Sequence, residues 1–289
     1  MSSVTDRRQS FRAILGGTVC VHPGSVYDPM SARIAENLGF ELGMYAGSTA
    51  SLTVLGAPDL IVLTLTEFAD QARRICRAVS RLPLLVDADH GYGNALNAMR
   101  TVQEVETAGV AAMTLEDTVL PRSYGDGKVA LISIEEGLGR VRAGLAARDD
   151  ESFCIVARTG AVQFSGIADA VERCKAYTQS GADALFFTGI STRSELDALA
   201  SVATLPMIIG GADIPELSDR DYLAARGVRV ALQGHQPIMA AQQAVYTTLK
   251  ALRDGVKPRD LPGLPTPELM PRITRDIDYK RWTQEYLGG

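Results

Sequence analysis

The most informative segment of this chain is Leu84-Leu85-Val86-Asp87-Ala88-Asp89-His90-Gly91-Tyr92-Gly93-Asn94. An apolar run typical of a buried strand ends in two acidic residues, a glycine-flanked turn and the start of a helical pattern. Residues two apart in a strand share a face, so Asp87 and Asp89 leave the strand on the same side. Grouped carboxylates of this kind suit Mg²⁺ or Mn²⁺. The alternative is a turn whose aspartates only cap the next helix.

Outward from this stretch, short apolar runs alternate with helical patterns along almost the whole chain of 289 residues. Such alternation is typical of parallel βαβ units, and eight of them close a barrel at this chain length. No glycine-rich phosphate loop follows the first strand, which disfavours a doubly wound open sheet. We therefore predict an α/β fold, a (β/α)8 barrel. The predicted strands are Thr18–His22, Leu42–Tyr45, Leu84–Asp87, Ala112–Glu116, Phe153–Arg158, Ala184–Thr188, Met207–Gly210 and Val228–Leu232.

Two segments depart from the βα rhythm. The connection from Asp117 to Ser133 is long for a compact domain, which is typical of a functional lid. After the last barrel helix the chain becomes proline-rich and ends in an amphipathic stretch with Tyr279 and Trp282. We predict a barrel domain over residues 1–255 and a C-terminal helical extension over residues 256–289, which packs on its own barrel or on a partner subunit.

Composition excludes several classes of protein. Hydrophobic residues make up 46% of the chain and charged residues 22%, with a formal net charge of −5. No block of lysine or arginine is present, which argues against a nucleic-acid partner. No apolar run approaches the ~20 residues of a membrane-spanning helix, and the polar N-terminus lacks the apolar core of a signal peptide. Four cysteines without C-x-x-C spacing fit a reduced, cytoplasmic protein.

The carboxyl ends of the strands carry the candidate site, because the active sites of α/β barrels lie there. Asp87 is the best candidate for direct metal coordination, with Asp89 and Glu116 holding metal-bound waters. Acids that face one another repel, and this costs stability unless a cation sits among them. A small anionic substrate would complete the coordination of the metal.

Three further strand ends offer groups for that substrate. Arg158 presents a fork suited to a carboxylate or enolate oxygen, or alternatively forms a salt bridge to the same acids. Tyr45 precedes Gly47 and Ser48, whose amides and hydroxyl can hold a carboxylate, although a plain Gly-Ser turn is the alternative. His235, one of three histidines, follows the last strand and is predicted to be a titratable donor in the site.

These motifs resemble the isocitrate lyase/phosphoenolpyruvate mutase superfamily over nearly the whole chain. The D-x-D-x-G-Y-G-N string, followed by E-D one strand later, is its most specific signal. The matching stretches are Tyr27-Asp28-Pro29-Met30-Ser31-Ala32-Arg33, Gly56-Ala57-Pro58-Asp59, Asp87-Ala88-Asp89-His90-Gly91-Tyr92-Gly93-Asn94, Thr114-Leu115-Glu116-Asp117 and Ala157-Arg158-Thr159.

The resemblance implies a metal-dependent enzyme that acts on α-keto acids. It implies that Asp87 ligates Mg²⁺ directly, that Asp59, Asp89 and Glu116 lie in the water shell, and that Arg158 holds the substrate. Members of the superfamily commonly form homotetramers in which a C-terminal helix is exchanged between subunits, which fits the apolar tail of this chain.

Departures from the superfamily's motifs narrow the expected activity. The lid reads Leu120-Pro121-Arg122-Ser123-Tyr124-Gly125-Asp126-Gly127-Lys128 and lacks the cysteine of the isocitrate lyases. The phosphonate enzymes have a lid asparagine and a histidine after the sixth strand, where this chain has Thr188. The chain looks most like the oxaloacetate decarboxylase branch, with His235 and Gly47-Ser48 in matching places. Gly160 departs from that branch, which usually has a polar residue there.

We therefore predict decarboxylation of oxaloacetate or a close β-keto acid to pyruvate and CO₂, with His235 and Arg158 as catalytic residues. The alternatives are a C–C lyase or hydrolase acting on a substituted malate or oxaloacetate, and a non-catalytic sensor of α-keto acids. An aldolase that uses a lysine imine is disfavoured, because the five lysines lie in the predicted lid, helices or tail.

Overall fold

Eight parallel strands, each beside its neighbour in the chain, form the centre of the molecule. The structure is a computed structural model that describes residues 3–122, 124–125, 128–211 and 214–288. A parallel bridge between Val21, which precedes the first strand, and Val230 of the last strand closes the sheet. The predicted (β/α)8 barrel is confirmed. The strands are β1 (Gly24–Ser25), β2 (Gly43–Ala46), β3 (Leu84–Asp87), β4 (Ala112–Glu116), β5 (Cys154–Thr159), β6 (Ala184–Phe187), β7 (Met207–Ile209) and β8 (Val228–Ala231).

Helices follow the strands and surround the barrel. Their ends obey local rules, as in the second helix, where Asp28 accepts a hydrogen bond from Ser31 N at 2.7 Å and Gly39 ends the helix at a φ of 85°. In the described part they are α1 (Val4–Leu15), α2 (Pro29–Leu38), α3 (Gly47–Ala50), α4 (Leu65–Ala78), α5 (Ala95–Thr107), α6 (Ile134–Ala147), α7 (Ala161–Phe164), α8 (Ile167–Thr178), α9 (Arg193–Ala200), α10 (Arg220–Ala225), α11 (Gln236–Arg253), α12 (Leu269–Thr274) and α13 (Asp276–Leu287).

The first strand lies later in the chain than the sequence pattern predicted. The run Thr18–His22 contributes only the bridge at Val21, and Val19 is 59% exposed. Hydrogen bonds to β2 fix the strand at Gly24–Ser25, where Gly24 N donates to Leu42 O at 2.9 Å. The prediction of the first strand was wrong because apolar character alone cannot reveal which residues pair with the neighbouring strand.

The barrel is filled by side chains that alternate along its strands. Met44 and Ala46 of β2 belong to the inner core, together with Phe11 and Leu15 of α1. Arg8 of α1 fixes this helix across the barrel's lower end through Asp150 at 2.7 Å. With that end closed, the opening lies at the carboxyl ends of the strands.

The C-terminal extension lies against the outside of the barrel. In α12, Ile273 is buried, and its carbonyl accepts a hydrogen bond from Arg33 Nη1 at 3.3 Å. The following helix, α13, buries none of its residues, and Ile277 is 77% exposed. The division at residue 255 and the exchange between subunits remain predictions. No helix in the described part of the chain is long and apolar enough to cross a membrane.

Candidate active site

A cavity of ≈ 570 Å³ opens at the carboxyl ends of the strands. Its walls include seven of the residues predicted for the site, which are separated by up to 187 positions in the chain (from 48 to 235). They are Ser48, Asp59, Asp87, Asp89, Glu116, Arg158 and His235. The structure therefore brings these residues together, while their individual roles remain predictions.

Strand register places the central polar groups side by side. Asp87 pairs with Thr114 across β3 and β4, and Thr114 Oγ1 donates to Asp87 Oδ1 at 2.6 Å. Glu116 pairs with Arg158 across β4 and β5, and Arg158 Nη2 lies 3.3 Å from Glu116 Oε2. Arg158 Nη1 also donates a short hydrogen bond to Asp87 Oδ2. The guanidinium thus bridges two of the acids.

Negative charge exceeds positive charge among these groups. Burial, together with the neighbouring charges of Asp87 and Glu116, raises the pKa of Asp89 well above its ordinary value. Burial also raises the pKa of Glu116, although Arg158 opposes the shift, and partial burial raises the pKa of Asp59 at the cavity rim. The folded protein therefore holds these carboxylates under mutual repulsion that one guanidinium does not remove.

The acids keep Arg158 charged in its recessed position. Burial alone would lower the pKa of this guanidinium, but attraction to Asp87 and Glu116 outweighs burial and raises it. The Phe186 ring lies beneath the guanidinium, with its centroid 5.3 Å from Arg158 Cζ. The salt bridge that the sequence left open as an alternative is present, to both Asp87 and Glu116.

His235 lies between β8 and α11, where it precedes the helix. Its Nδ1 is 2.8 Å from Ser25 Oγ on β1. Burial lowers the pKa of His235, and Asp87 and Asp59 partly offset that effect. The ring is therefore neutral near pH 7, with Nε2 as the nitrogen that remains available to the cavity.

Gly47 and Ser48 begin α3, and their surroundings explain the glycine. A Cβ at position 47 would lie 2.7 Å from Asp89 Oδ2, so only glycine lets Asp89 approach. Ser48 lines the cavity beside it. This arrangement is more specific than a plain Gly-Ser turn, while binding of a carboxylate by this pair remains a prediction.

Tyr45 occupies a different place from the other predicted site residues. Strand alternation turns Met44 and Ala46 toward the cavity and Tyr45 toward the helices, where it stacks on Phe68 with ring centroids 5.0 Å apart. The Tyr45 ring is fully buried, and its hydroxyl has no hydrogen-bond partner among the residues that the structure describes. This position favours a packing role for the side chain, and its substrate contact stays an untested prediction.

The donor set fits a hard divalent cation held mainly through water. Within the described residues, no three His, Cys, Asp or Glu side chains converge as a direct ligand cage. The predicted arrangement does not need one, because it uses a single direct carboxylate, Asp87, and three acids beyond a water layer. Oxygen ligands and an excess of negative charge are what Mg²⁺ prefers.

Sequence reasoning missed three residues at this site. Thr114 orients Asp87, Ser25 contacts His235, and Phe164 lines the wall at Gly160. A Cβ at Gly160 would lie 2.8 Å from Phe164 Cε2, so the Phe164 ring occupies the space of the absent side chain. A hydroxyl opposite an acid in the strand register was the available signal for Thr114, whereas the other two contacts needed the fold.

The described residues of the predicted lid lie beside the cavity. Val119 N donates to Ala130 O at 2.8 Å, which joins the two arms of the segment at its base. Leu120, Arg122 and Lys128 contribute to the cavity wall. The lid positions Ser123, Asp126 and Gly127 lie outside the described residues.

Comparisons with known proteins agree with this geometry. A relative named oxaloacetate decarboxylase from Bradyrhizobium sp. strain ORS 278 is 57% identical over 282 residues, covering 98% of this chain and 97% of the relative. A phosphonopyruvate hydrolase solved with oxalate and Mg²⁺ has a TM-score of 0.85 at 29% identity, covering 97% of this chain and 99% of that one. An oxaloacetate acetylhydrolase solved with 3,3-difluorooxalacetate has a TM-score of 0.85 at 27% identity, covering 100% and 99%.

The predicted superfamily, its oxaloacetate decarboxylase branch and an enzyme of the lyase type are confirmed by these similarities. A family model described as phosphoenolpyruvate phosphomutase matches residues 11–253. That match spans the barrel and every residue of the cavity discussed above. The chain belongs to the phosphoenolpyruvate phosphomutase family.

Proposed function

We propose that this protein decarboxylates oxaloacetate, or a close β-keto acid, to pyruvate and CO₂ with a divalent cation, Mg²⁺ or Mn²⁺. The observation that carries the proposal is the near full-length similarity to relatives named oxaloacetate decarboxylase. The cavity supports it, because acids, a guanidinium and an imidazole line one pocket.

Asp87 is the residue that would hold the cation directly, with Asp59, Asp89 and Glu116 reaching it through water. When bound, the cation supplies positive charge beside the keto oxygen of the substrate. Thr114 fixes the Asp87 carboxylate through its hydrogen bond. The oxalate and Mg²⁺ in the related hydrolase structure support a site of this kind.

The remaining residues act on the substrate itself. Gly47 and Ser48 hold the C1 carboxylate, and Arg158 supplies fixed positive charge next to the oxygen that gains charge as the C3–C4 bond breaks. The electron pair of that bond passes to the enolate, and CO₂ leaves. His235 contacts the departing carboxylate or relays the proton that C3 then takes up. No covalent nucleophile is required.

A ¹³C-NMR time course with a panel of β-keto acids, with and without EDTA, tests the activity. We expect pyruvate and CO₂ at a rate above that of free Mg²⁺ alone, since oxaloacetate also decays without enzyme. Oxalate and acetate as products would instead support the C–C hydrolase alternative, which the related oxaloacetate acetylhydrolase favours. Binding without metal-dependent turnover would support a sensor.

The His235→Gln variant tests the catalytic assignment within that activity. We expect kcat to fall about 10²- to 10⁴-fold, the range for loss of an acid–base group, with cation binding retained. Unchanged turnover would remove His235 from the mechanism.

We further propose that the protein is a cytoplasmic homotetramer with residues 256–289 exchanged between subunits. One face of α11 is apolar and exposed, as is much of α13. Light scattering should give a tetramer for the wild type and smaller species for Leu249→Glu on α11. Leu96→Glu, at a similarly exposed leucine of α5, is the control. A monomeric wild type would overturn this assembly. The exposed apolar side chains of these two helices include Met239, Val245, Tyr246, Leu249, Ile277, Tyr279, Tyr286 and Leu287.

A further inference from the structure

The first and last strands of the barrel meet at a seam that carries two histidine contacts. Ser25 lies on β1, and its Oγ is 2.8 Å from His235 Nδ1. His22 precedes the same strand, and its Nδ1 is 2.8 Å from the carbonyl oxygen of Ala231 at the end of β8. The seam thus holds one histidine by a hydroxyl and the other by a carbonyl.

These two partners impose different tautomers on their histidines. A carbonyl oxygen only accepts, so His22 must carry its proton on Nδ1. A hydroxyl can donate as well as accept, so the Ser25 contact permits either tautomer of His235. The surroundings of each group decide which one forms.

Two observations make Ser25 the donor. Among the described residues, Ser25 Oγ has no second hydrogen-bond partner, so donation by His235 would leave the serine proton without a protein acceptor. On the cavity side, Asp59 and Asp87 line the same pocket as His235, so a ring proton directed into the pocket meets negative charge. A proton on Nε2 satisfies both requirements, since Nδ1 then accepts from Ser25 and the N–H faces the acids.

We propose that Ser25 is a positioning residue that holds His235 as its Nε2–H tautomer, with that N–H directed into the cavity. The proposal rests on the proposed catalytic role of His235 and extends it to a residue on the opposite side of the barrel seam. An Nε2–H donor is the form that can hold a departing carboxylate. Without Ser25 the ring could rotate or change tautomer while still occupying the same space.

Histidine ¹⁵N-NMR tests the tautomer directly, because the chain has only His22, His90 and His235. Long-range ¹H–¹⁵N spectra of the intact protein in EDTA should show His22 protonated on Nδ1 and His235 on Nε2. In Ser25→Ala we expect the His235 signals to shift toward a mixture of tautomers, with the His22 signals unchanged. Wild-type His235 protonated on Nδ1 would overturn the proposal, even if the variant failed to fold.

Kinetics separate positioning from general stability. Ser25→Ala should lower kcat about five- to tenfold, the rate equivalent of one hydrogen bond, and change KM less than about twofold. Ser25→Thr, which keeps the hydroxyl, should restore most of kcat. Ser201→Ala, at an exposed serine whose hydroxyl donates to Ala198 O in its own helix turn, should match the wild type. Wild-type kcat in Ser25→Ala would overturn the proposal.

The double variant Ser25→Ala/His235→Gln separates the positioning role of Ser25 from the catalytic role of His235 on which it rests. If Ser25 acts through His235, adding Ser25→Ala to His235→Gln should cause no further loss of kcat. Independent, multiplying losses would overturn the positioning role. Full activity of His235→Gln would instead remove the catalytic role of His235, and the NMR result would still decide the tautomer.

Discussion

Replacing Asp89 with asparagine should stabilise the metal-free protein and weaken its affinity for a divalent cation. The Asp89 carboxylate is recessed in the cavity, and burial with the charges of Asp87 and Glu116 raises its pKa well above the ordinary 3.8. Asparagine has the same shape without the charge. The backbone at this position has a φ of 50°, a left-handed conformation that asparagine tolerates well.

The expected gain in unfolding free energy comes from removing one of four neighbouring carboxylates, whose charges only the guanidinium of Arg158 offsets in this cluster. Replacing buried charged groups by neutral ones of similar volume often stabilises a protein by about 1–4 kcal/mol. We expect the free energy of unfolding in EDTA at pH 7 to rise by about 1–3 kcal/mol, or about 2–4 °C in Tm per kcal/mol. The close contact between residue 89 and Gly47 should not reduce this gain, because asparagine has nearly the same volume as aspartate.

The pH dependence has a definite sign. Because the folded pKa of Asp89 lies above the unfolded one, its stabilising contribution is complete below about 3.8 and is lost as the pH rises through the raised folded value. The stability difference between Asp89→Asn and wild type should therefore be small near pH 4 and grow toward neutral pH. Both proteins must be measured in EDTA.

Chemical denaturation with and without Mg²⁺ measures both effects. A ligand at 100 times its Kd adds about 2.7 kcal/mol to the wild type, and the variant should gain less. Asp70→Asn, the same change at an exposed acid that pairs with Arg73 on α4, should stay within about 0.5 kcal/mol of wild type. An Asp89→Asn variant no more stable than wild type in EDTA would refute the claim that the acids repel one another.

Three further predictions use residues around the site and the barrel base. Thr114→Val removes the hydrogen bond to Asp87 and should weaken cation binding about 10- to 100-fold. Calorimetry measures this affinity. Thr101→Val, at an equally buried threonine, is the control and should leave the affinity unchanged. Hydrogen bonds from Ser152 and then Arg8 lower the pKa of Asp150 to about 2. Asp150→Asn should therefore cost about 1–2 kcal/mol of unfolding free energy at pH 7, and the difference should disappear as the pH falls from about 4 to about 2. Gly160→Ala should push the Phe164 ring into the cavity and raise KM about two- to fivefold with kcat nearly unchanged, measured by steady-state kinetics; an unchanged KM would mean that the ring moves outward.

The strands and most of the cavity were predictable because both follow from the regular alternation of strands and helices along the chain. The strands Leu84–Asp87 and Ala112–Glu116 have the predicted bounds, since each is a mainly apolar run that ends in an acid. Once the barrel is assigned, the residues at strand ends must share one rim. The position of β1 was not predictable, because hydrogen bonds to β2 place it within Pro23-Gly24-Ser25.

The contacts that complete the site depend on distant residues and therefore escape sequence patterns. Ser25 and His235 are 210 positions apart, and only closure of the barrel brings them together. The Phe164 ring fills the space at Gly160 because α7 turns back over the strand end. Tyr45 shows a second limit of the rim rule, since a residue at a strand end still points inward or outward according to strand alternation.

For Arg158 the sequence left two alternatives, a contact with the substrate or a salt bridge to the acids, and the two are compatible. Its guanidinium pairs with Asp87 and Glu116, so it acts as the counter-ion of these acids. A divalent cation held by Asp87 would neutralise the carboxylates in place of Arg158, because the cation itself carries two positive charges. The guanidinium would then be available to an anionic substrate without leaving the acids uncompensated. The salt bridge and the predicted substrate contact are therefore compatible roles of one guanidinium, and cation binding should precede productive binding of the keto acid.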